Sequence, residues 1–310
     1  MRNVLCAGIL VADVVGRVID SLPVRGTLDR VEKMELHVGG CAANTSIGLA
    51  RLGVPVAICG RVADDGFGRF LLDALQAEGV DISGVRFSDV EPTSATMVTV
   101  HTDGERSFMH CSGANAEFSA ADVSLEDAAP ETLLHVAGAF LMPGMDGAGC
   151  AELLQRGKAM GLTTSLDTAW DATGRWLDLI GPSLQHTDYF LPDHAEAELI
   201  SGLEDPEKAA EFFLRAGVGV VAIKLGSDGS LLASSSGERY RIPAFRVEAV
   251  DGTGAGDAYS AGFVAGLARG MSLRECGMLG SAAGACCVQA LGGTRGLRDF
   301  ATTSALGGLK

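Results

Sequence analysis

Asp251-Gly252-Thr253-Gly254-Ala255-Gly256-Asp257 is the most informative stretch of this chain, and it runs straight into residues 258–268, small and apolar with helical character. Small residues at a helix start let backbone N–H groups approach an anion closely, and the helix dipole favours negative charge at that end. The stretch therefore reads as a cradle for a phosphoryl group. Its last residue cuts against a purely binding role. A carboxylate at Asp257 repels phosphate unless it has another task, such as taking a proton from an attacking hydroxyl. The plainer alternative is a tight turn closed by an N-capping aspartate. A dinucleotide-binding loop fits less well, because Asp257 stands where the last glycine of G-x-G-x-x-G belongs. Nor is there a Walker A loop, since Gly157-Lys158 is followed by Ala159.

Outward from this loop, the pattern is that of an α/β protein. Residues 4–10 predict a buried, parallel-type strand, while 11–20 and 28–38 alternate as half-exposed strands around a Pro23/Gly26 turn. Gly39-Gly40-Cys41-Ala42-Ala43-Asn44 opens a helix ending near Gly53, followed by a strand at 55–60 and an amphipathic helix at 68–78 closed by Gly79. Residues 94–101 and 106–111 alternate around Asp103-Gly104, a strong hairpin signal, and are expected to join the early strands in a lid. Strand and helix patterns then take turns at 133–137, 148–160, 163–166, 196–201, 207–216 and 218–224. Such alternation implies right-handed crossovers and a sheet covered by helices on both faces. No repeat or linker divides the chain. The expectation is one domain over 1–310: a central, mostly parallel sheet flanked by helices, with a small β-sheet lid drawn from about 11–38 and 94–111. Binding residues should gather at the carboxyl ends of the strands.

Composition narrows the partners. The 310 residues carry a net charge of −15 with no basic stripe, which argues against a nucleic-acid surface. Eight cysteines occur without a C-x-x-C or a zinc-type His/Cys spacing, so they read as reduced thiols of a cytoplasmic protein. The apolar run 4–15 is broken by Asp13 and followed by no small-residue cleavage site, which favours a first strand over a signal peptide. No run approaches the length of a membrane span.

Asp251 to Asp257 resembles D-T-x-G-A-G-D, the second signature of the ribokinase-like (PfkB) carbohydrate kinases. Other segments match that family in order. Gly39-Gly40 with Asn44 is similar to G-G-x-x-x-N, and Gly113-Ala114-Asn115-Ala116 to the G-A-N-A after the lid strands. Pro192-Asp193-His194-Ala195-Glu196-Ala197-Glu198 with Gly202 resembles P-N-x-x-E-A-E…G, and Lys224-Leu225-Gly226-Ser227-Asp228-Gly229 resembles the nucleotide loop. The matches span nearly the whole chain.

The resemblance implies a ribokinase-like fold and ATP-dependent phosphorylation of a sugar or related polyol, with ATP and Mg²⁺ as cofactors and K⁺ as an option. Asp257 would be the general base, and the amides of Gly254, Ala255 and Gly256 would stabilise the transferring phosphoryl group. Asp13, Gly39, Gly40 and Asn44 would bind the acceptor, Gly40 by letting it lie close to backbone. Asp193, Lys224, Gly226 and Gly229 would face the nucleotide. Glu196 would act on Mg²⁺ through water, and Asp251 belongs to a loop that holds a monovalent cation in relatives. Each residue also has a plain structural alternative. Asp13 could be a polar residue of a lid strand, Asn44 a helix-start hydrogen bond, Glu196 a first-turn carboxylate, Lys224 a solvated ion pair, and Asp167 a turn former. A homodimer through the lid strands is expected, with no nucleic-acid or membrane partner.

Departures from the pattern limit the substrate. Gly252 replaces the family's Thr, and Asp193 replaces its Asn. Cys41 and Ala139-Phe140 stand where ribokinases carry polar sugar contacts, so strict ribokinase activity is not expected. Phe140 and Met142 read as an apolar wall, as for a nucleoside base, or as core. The alternatives are therefore an adenosine-like nucleoside kinase and a catalytically silent nucleotide or sugar sensor.

Overall fold

The amino-terminal apolar run forms β1 (Val4–Gly8), whose even residues Val4 and Cys6 pack into one apolar cluster while Ala7 packs into another on the opposite face. The computed structural model describes residues 1–309 apart from 103–105, 127 and 130. After β1 come β2 (Val11–Arg17), β3 (Lys33–Gly39), α1 (Cys41–Arg51), β4 (Val56–Ala63), α2 (Gly66–Ala77), β5 (Asp81–Ser88), β6 (Ala95–Val100) and β7 (Arg106–Cys111). The middle of the chain holds β8 (Leu133–Ala139), α3 (Ala148–Ala159), β9 (Thr163–Thr168), α4 (Trp176–Leu184), β10 (Tyr189–Phe190), α5 (His194–Ser201), α6 (Pro206–Arg215) and β11 (Val220–Lys224). It ends with β12 (Ser230–Ser234), β13 (Arg239–Ile242), α7 (Ala255–Ala268), α8 (Leu273–Cys287) and α9 (Phe300–Leu306).

The main sheet has nine strands in the order β13-β12-β11-β10-β9-β8-β1-β4-β5. It is parallel from β5 to β11, and β12 runs antiparallel to both of its neighbours. All seven residues of β8 are buried, as expected for a central strand covered on both faces. One face carries α1, α7 and α8, the other α3 to α6, each with its own apolar cluster. The order of strands turns around between β1 and β8, so their carboxyl ends open the crevice in which α/β sheets bind ligands.

The small residues of α7 have a packing cause. A Cβ on Gly262 would lie 2.6 Å from the Leu279 carbonyl oxygen of α8, and one on Gly266 would lie 2.9 Å from Cys276 Sγ. These two backbones approach too closely for side chains between them.

A second sheet, order β3-β2-β6-β7, is the lid. Its outer pairs are antiparallel and its central pair, β2 with β6, is parallel. The Asp103-Gly104 hairpin lies outside the described residues, but its flanking strands pair from Val100↔Arg106 to Ala95↔Cys111. His37, Asp13, Thr96 and His110 form one row across all four strands; Leu36, Val14, Met97 and Met109 form the next row, on the opposite face. All eight cysteines are free thiols. Among the described residues no helix is long and apolar enough to cross a membrane.

Candidate active site

Helix α7 starts at Ala255 rather than after Asp257, three residues earlier than the loop's composition suggests. Its N-cap, Gly254, has φ 70°, and a Cβ there would lie 2.3 Å from the Gly293 carbonyl oxygen, so only glycine fits on both counts. Asp257 therefore sits inside the first turn, where N–H groups have no intrahelical acceptor four residues back. The Ala255 N–H instead bonds the Gly252 carbonyl at 3.3 Å, which leaves Gly256 and Asp257 as the first-turn amides facing outward from the helix start. Asn44, from α1, donates from Nδ2 to Asp257 Oδ2 at 2.8 Å, and Thr45 Oγ1 donates to the Asp257 carbonyl at 3.4 Å. Burial pushes the Asp257 carboxyl above the ordinary aspartate value; the Asn44 bond opposes that rise, the Asp167 charge adds to it, and Lys224 opposes it. The other amide atom, Asn44 Oδ1, is buried with no hydrogen-bond partner among the described residues, an acceptor left for a ligand hydroxyl.

Asp13 approaches from the lid. Its carboxylate lies over Gly39, where a Cβ would meet Asp13 Oδ2 at 2.1 Å. Burial raises its pKa to about 7, with the Thr96 hydroxyl lowering it and the Asp257 charge raising it further. Two carboxylates that sense each other thus share the crevice. Gly40 has a different cause from the one expected. It has φ 90°, and the space of its absent Cβ is taken by the Ile9 carbonyl 2.5 Å away, so the β1–β2 connection by itself already requires glycine there.

On the other side of Asp257, Lys224 closes β11 with Nζ 2.7 Å from Asp167 Oδ1. The side chains are 12% and 1% exposed, so this is a buried ion pair and not a solvated one. Burial alone would lower the Lys224 pKa, but the Asp167, Glu196 and Asp257 carboxylates outweigh it and hold it above the usual lysine value. Asp167 Oδ2 also accepts from Ser260 Oγ at 2.6 Å, which ties β9 to α7. Lys224 Nζ comes within 3.6 Å of where a Gly256 Cβ would stand, directly beside the first turn.

Glu196 and Asp193 cap α5 reciprocally: Glu196 N–H donates to Asp193 Oδ1 at 2.8 Å, and Asp193 N–H donates to Glu196 Oε2 at 2.9 Å. Thr168 Oγ1 donates to the same Oε2 at 2.8 Å. Burial lifts the Glu196 carboxyl to about 7, Lys224 pulls it down, and Asp193 and Asp167 add to the rise. Both bonds that the Glu196 carboxylate accepts fall on Oε2, leaving Oε1 as a hard oxygen. Among the described residues no three His, Cys, Asp or Glu side chains cluster as a metal cage. A single carboxylate oxygen of this kind fits Mg²⁺, which takes hard oxygen donors and keeps several waters, and Glu196 would be the residue to meet that hydration shell. Lys224 N–H bonds the Pro192 carbonyl at 3.0 Å, so the two segments are neighbours. In the loop after β11, Gly226 has open space around it, whereas a Cβ on Gly229 would meet the Ile242 carbonyl at 1.9 Å. Gly229 is explained by the strand beside it.

Asp251 is already neutralised. Its Oδ1 accepts from Thr253 N–H at 2.8 Å and from the Arg106 guanidinium, and its Oδ2 accepts from Gly292 N–H at 2.8 Å. Burial acts against its charge, yet the Gly292 and Thr253 bonds and Arg106 hold its pKa below the ordinary value. Phe140 and Met142 are 6% and 0% exposed and held by Asp146, which accepts from their N–H groups at 2.8 and 3.0 Å. They are core, not an open wall. Trp176 packs edge-on against Phe140 and against Trp170, which is 58% exposed. Sequence reasoning did not single out Arg106, Thr168, Ser260 or these tryptophans. Two cavities of about 560 and 610 Å³ lie at the amino ends of the strands and include none of these residues.

The pfkB carbohydrate kinase family matches residues 1–299. A 2-dehydro-3-deoxygluconokinase of Bacillus subtilis (strain 168) is 30% identical over 286 residues, 88% of this chain and 87% of that protein. A fructokinase of Klebsiella pneumoniae is 32% identical over 236 residues, 74% of this chain and 76% of that protein. The solved ribokinase of Arabidopsis thaliana, complexed with ribose and ATP, covers 100% of both chains with a TM-score of 0.85 at 25% identity. With the lid, the doubly covered sheet and the glycine loop at α7 all in the same frame, this chain belongs to the pfkB family of carbohydrate kinases.

Proposed function

We propose that the protein transfers the γ-phosphoryl group of ATP·Mg²⁺ to a hydroxyl of a sugar or related polyol, with Asp257 accepting the hydroxyl proton. The observation that carries this reading is the Asp257 carboxylate, partly buried in the first turn of α7 and held by Asn44. A raised carboxyl pKa makes a stronger base, and the adjacent first-turn amides lie at the positive end of the helix dipole, where growing phosphoryl charge is stabilised. As the acceptor oxygen bonds to the γ-phosphorus, the bridging P–O bond breaks, ADP departs and the proton passes to Asp257. Asp13 and Asn44 Oδ1 orient the acceptor from the lid and α1. Glu196 and Asp193 meet the hydration shell of Mg²⁺, whose charge offsets that of the phosphates. Closure of the lid excludes water as a competing acceptor.

The test is ADP formation across ketoses, keto-deoxy sugar acids, ribose and adenosine, for wild type and Asp257→Asn. Turnover on a sugar or polyol, falling about 10²- to 10⁴-fold in the variant with nucleotide affinity retained, is the expected result. A variant as active as wild type removes Asp257 from the base role.

The same reading extends to assembly. Met34, Leu36, Met97 and Met109 stand 62%, 37%, 46% and 46% exposed on the outer lid face, an apolar patch suited to the equivalent face of a second copy. Light scattering is expected to give a dimer that Met97→Glu with Met109→Glu splits, and a wild-type monomer would end this part of the proposal.

A further inference from the structure

We propose that Arg106 is a positioning residue of the phosphoryl transfer, a guanidinium built into the lid that serves as counter-ion to Asp251 and couples the lid to the loop carrying Asp257. On β7, Arg106 lies four residues before His110 and so shares the cleft-side row parity of Asp13 and His37. Its guanidinium pairs with Asp251 across 145 residues of sequence, with side chains 17% and 4% exposed. An uncompensated carboxylate at that depth is costly, so the charge that stabilises it has to come from somewhere. Here it comes from the lid.

Asp251 is also the residue that stitches the catalytic loop together. It accepts from Thr253 N–H within the loop and from Gly292 N–H in the facing one, both at 2.8 Å. Gly293, next along, sits where a Cβ on Gly254 would lie 2.3 Å from its carbonyl oxygen, and a Cβ on Gly293 would itself lie 3.1 Å from Asn44 Nδ2. The contacts therefore run from Arg106 through Asp251 and the 292–293 turn to Gly254 and Asn44, two of the residues that place Asp257. A second lid strand touches the same turn, since a Cβ on Gly292 would meet His37 Nδ1 at 2.8 Å. When the lid moves away, Asp251 loses its counter-ion, and a monovalent cation is the other species of the right charge for that place. Arg106 and such a cation are alternative occupants.

The kinetic half of this inference rests on the kinase reading; the stability half does not. Wild type, Arg106→Lys and Arg106→Met are compared in KCl and in choline chloride at equal ionic strength, by thermal melting and by kcat and KM. Wild type is expected to change less than about twofold in kcat between the salts. Arg106→Met is expected to lose about ten- to a hundredfold in kcat in choline, with the KM for ATP little moved, as for a misplaced catalytic group. KCl should raise both its kcat and its melting temperature, and Arg106→Lys should keep most of the wild-type rate. If Arg106→Met does not fold, Arg106→Met with Asp251→Asn, which removes both charges, should. The proposal fails if Arg106→Met equals wild type in choline, if neither K⁺ nor lysine relieves its loss, if wild type is as K⁺-dependent as the variant, or if the double variant is also unfolded. Should no acceptor be turned over by any form, the melting comparison still decides the Arg106 question separately from the kinase reading.

Discussion

Asn44 Nδ2 lies 2.8 Å from Asp257 Oδ2, so α1 holds the carboxylate presented by α7, its neighbour on the same face of the main sheet. That bond favours the charged form and partly offsets the rise caused by burial. Removing it in Asn44→Ala lets the Asp257 pKa climb further. The acidic limb of the kcat/KM profile, which reports the free enzyme's base, is expected to move to higher pH by about one unit, with activity partly regained at alkaline pH. An unmoved limb would mean that the titrating base is another group.

Asp13 affords a stability counterpart. Its carboxyl titrates at about 7 in the folded chain against 3.8 without the burial that penalises its charge. Between those values the folded state keeps a proton that the unfolded chain has released, so this group's contribution to stability is present below about pH 4 and is lost as pH rises through 7. Asp13→Asn abolishes the loss. The variant is expected to melt a few degrees above wild type at pH 8, with the gap closing by pH 4, while acceptor turnover falls. Equal melting at pH 8 would show that Asp13 is not desolvated as described.

Much of this site was legible because its parts are local. The glycine loop, the Gly39-Gly40…Asn44 segment and the alternating lid strands each announce themselves within a dozen residues. The start of α7 differs from the sequence reading for a physical reason: Ala255 and Gly256 look like loop beside Gly254, but the helix takes them in, with Gly254 as its cap and the Ala255 carbonyl oxygen close to Gly284 of α8. Strand β10, with two residues, and β5, with an irregular burial pattern on the sheet edge, have too little periodicity to be seen. The Arg106–Asp251 pair joins positions 145 apart, and nothing near either residue marks its partner. The same holds for Lys224 and Asp167, which sequence alone could not tell from a solvated pair.

That buried pair predicts a clear energetic asymmetry. Lys224→Met leaves Asp167 buried with, among the described residues, only Ser260 Oγ and the Thr168 N–H as partners. Breaking one side of a buried ion pair costs about 3–5 kcal/mol, which for a chain of this size lowers the melting temperature on the order of 5–10 °C. Adding Asp167→Asn removes the stranded charge and should recover much of that loss in a double-mutant cycle. If the two changes are simply additive, the pair is not coupled and Lys224 is held by other groups.

Two glycines of the loop separate structural from chemical need. Gly254→Ala places a side chain at φ 70° with its Cβ 2.3 Å from the Gly293 carbonyl oxygen. The left-handed conformation alone costs roughly 1–2 kcal/mol, and the contact forces the loop to shift, so both melting temperature and kcat should fall. Gly256→Ala meets nothing nearer than Lys224 Nζ at 3.6 Å, and alanine suits a helix better than glycine. Its melting temperature should be unchanged or higher. Activity should nonetheless drop, because the new methyl group occupies the space over the first turn that the phosphoryl group needs. A Gly256→Ala protein with wild-type kcat and KM would show that the phosphoryl group does not pass over that turn, and the role given to its amides would have to move elsewhere.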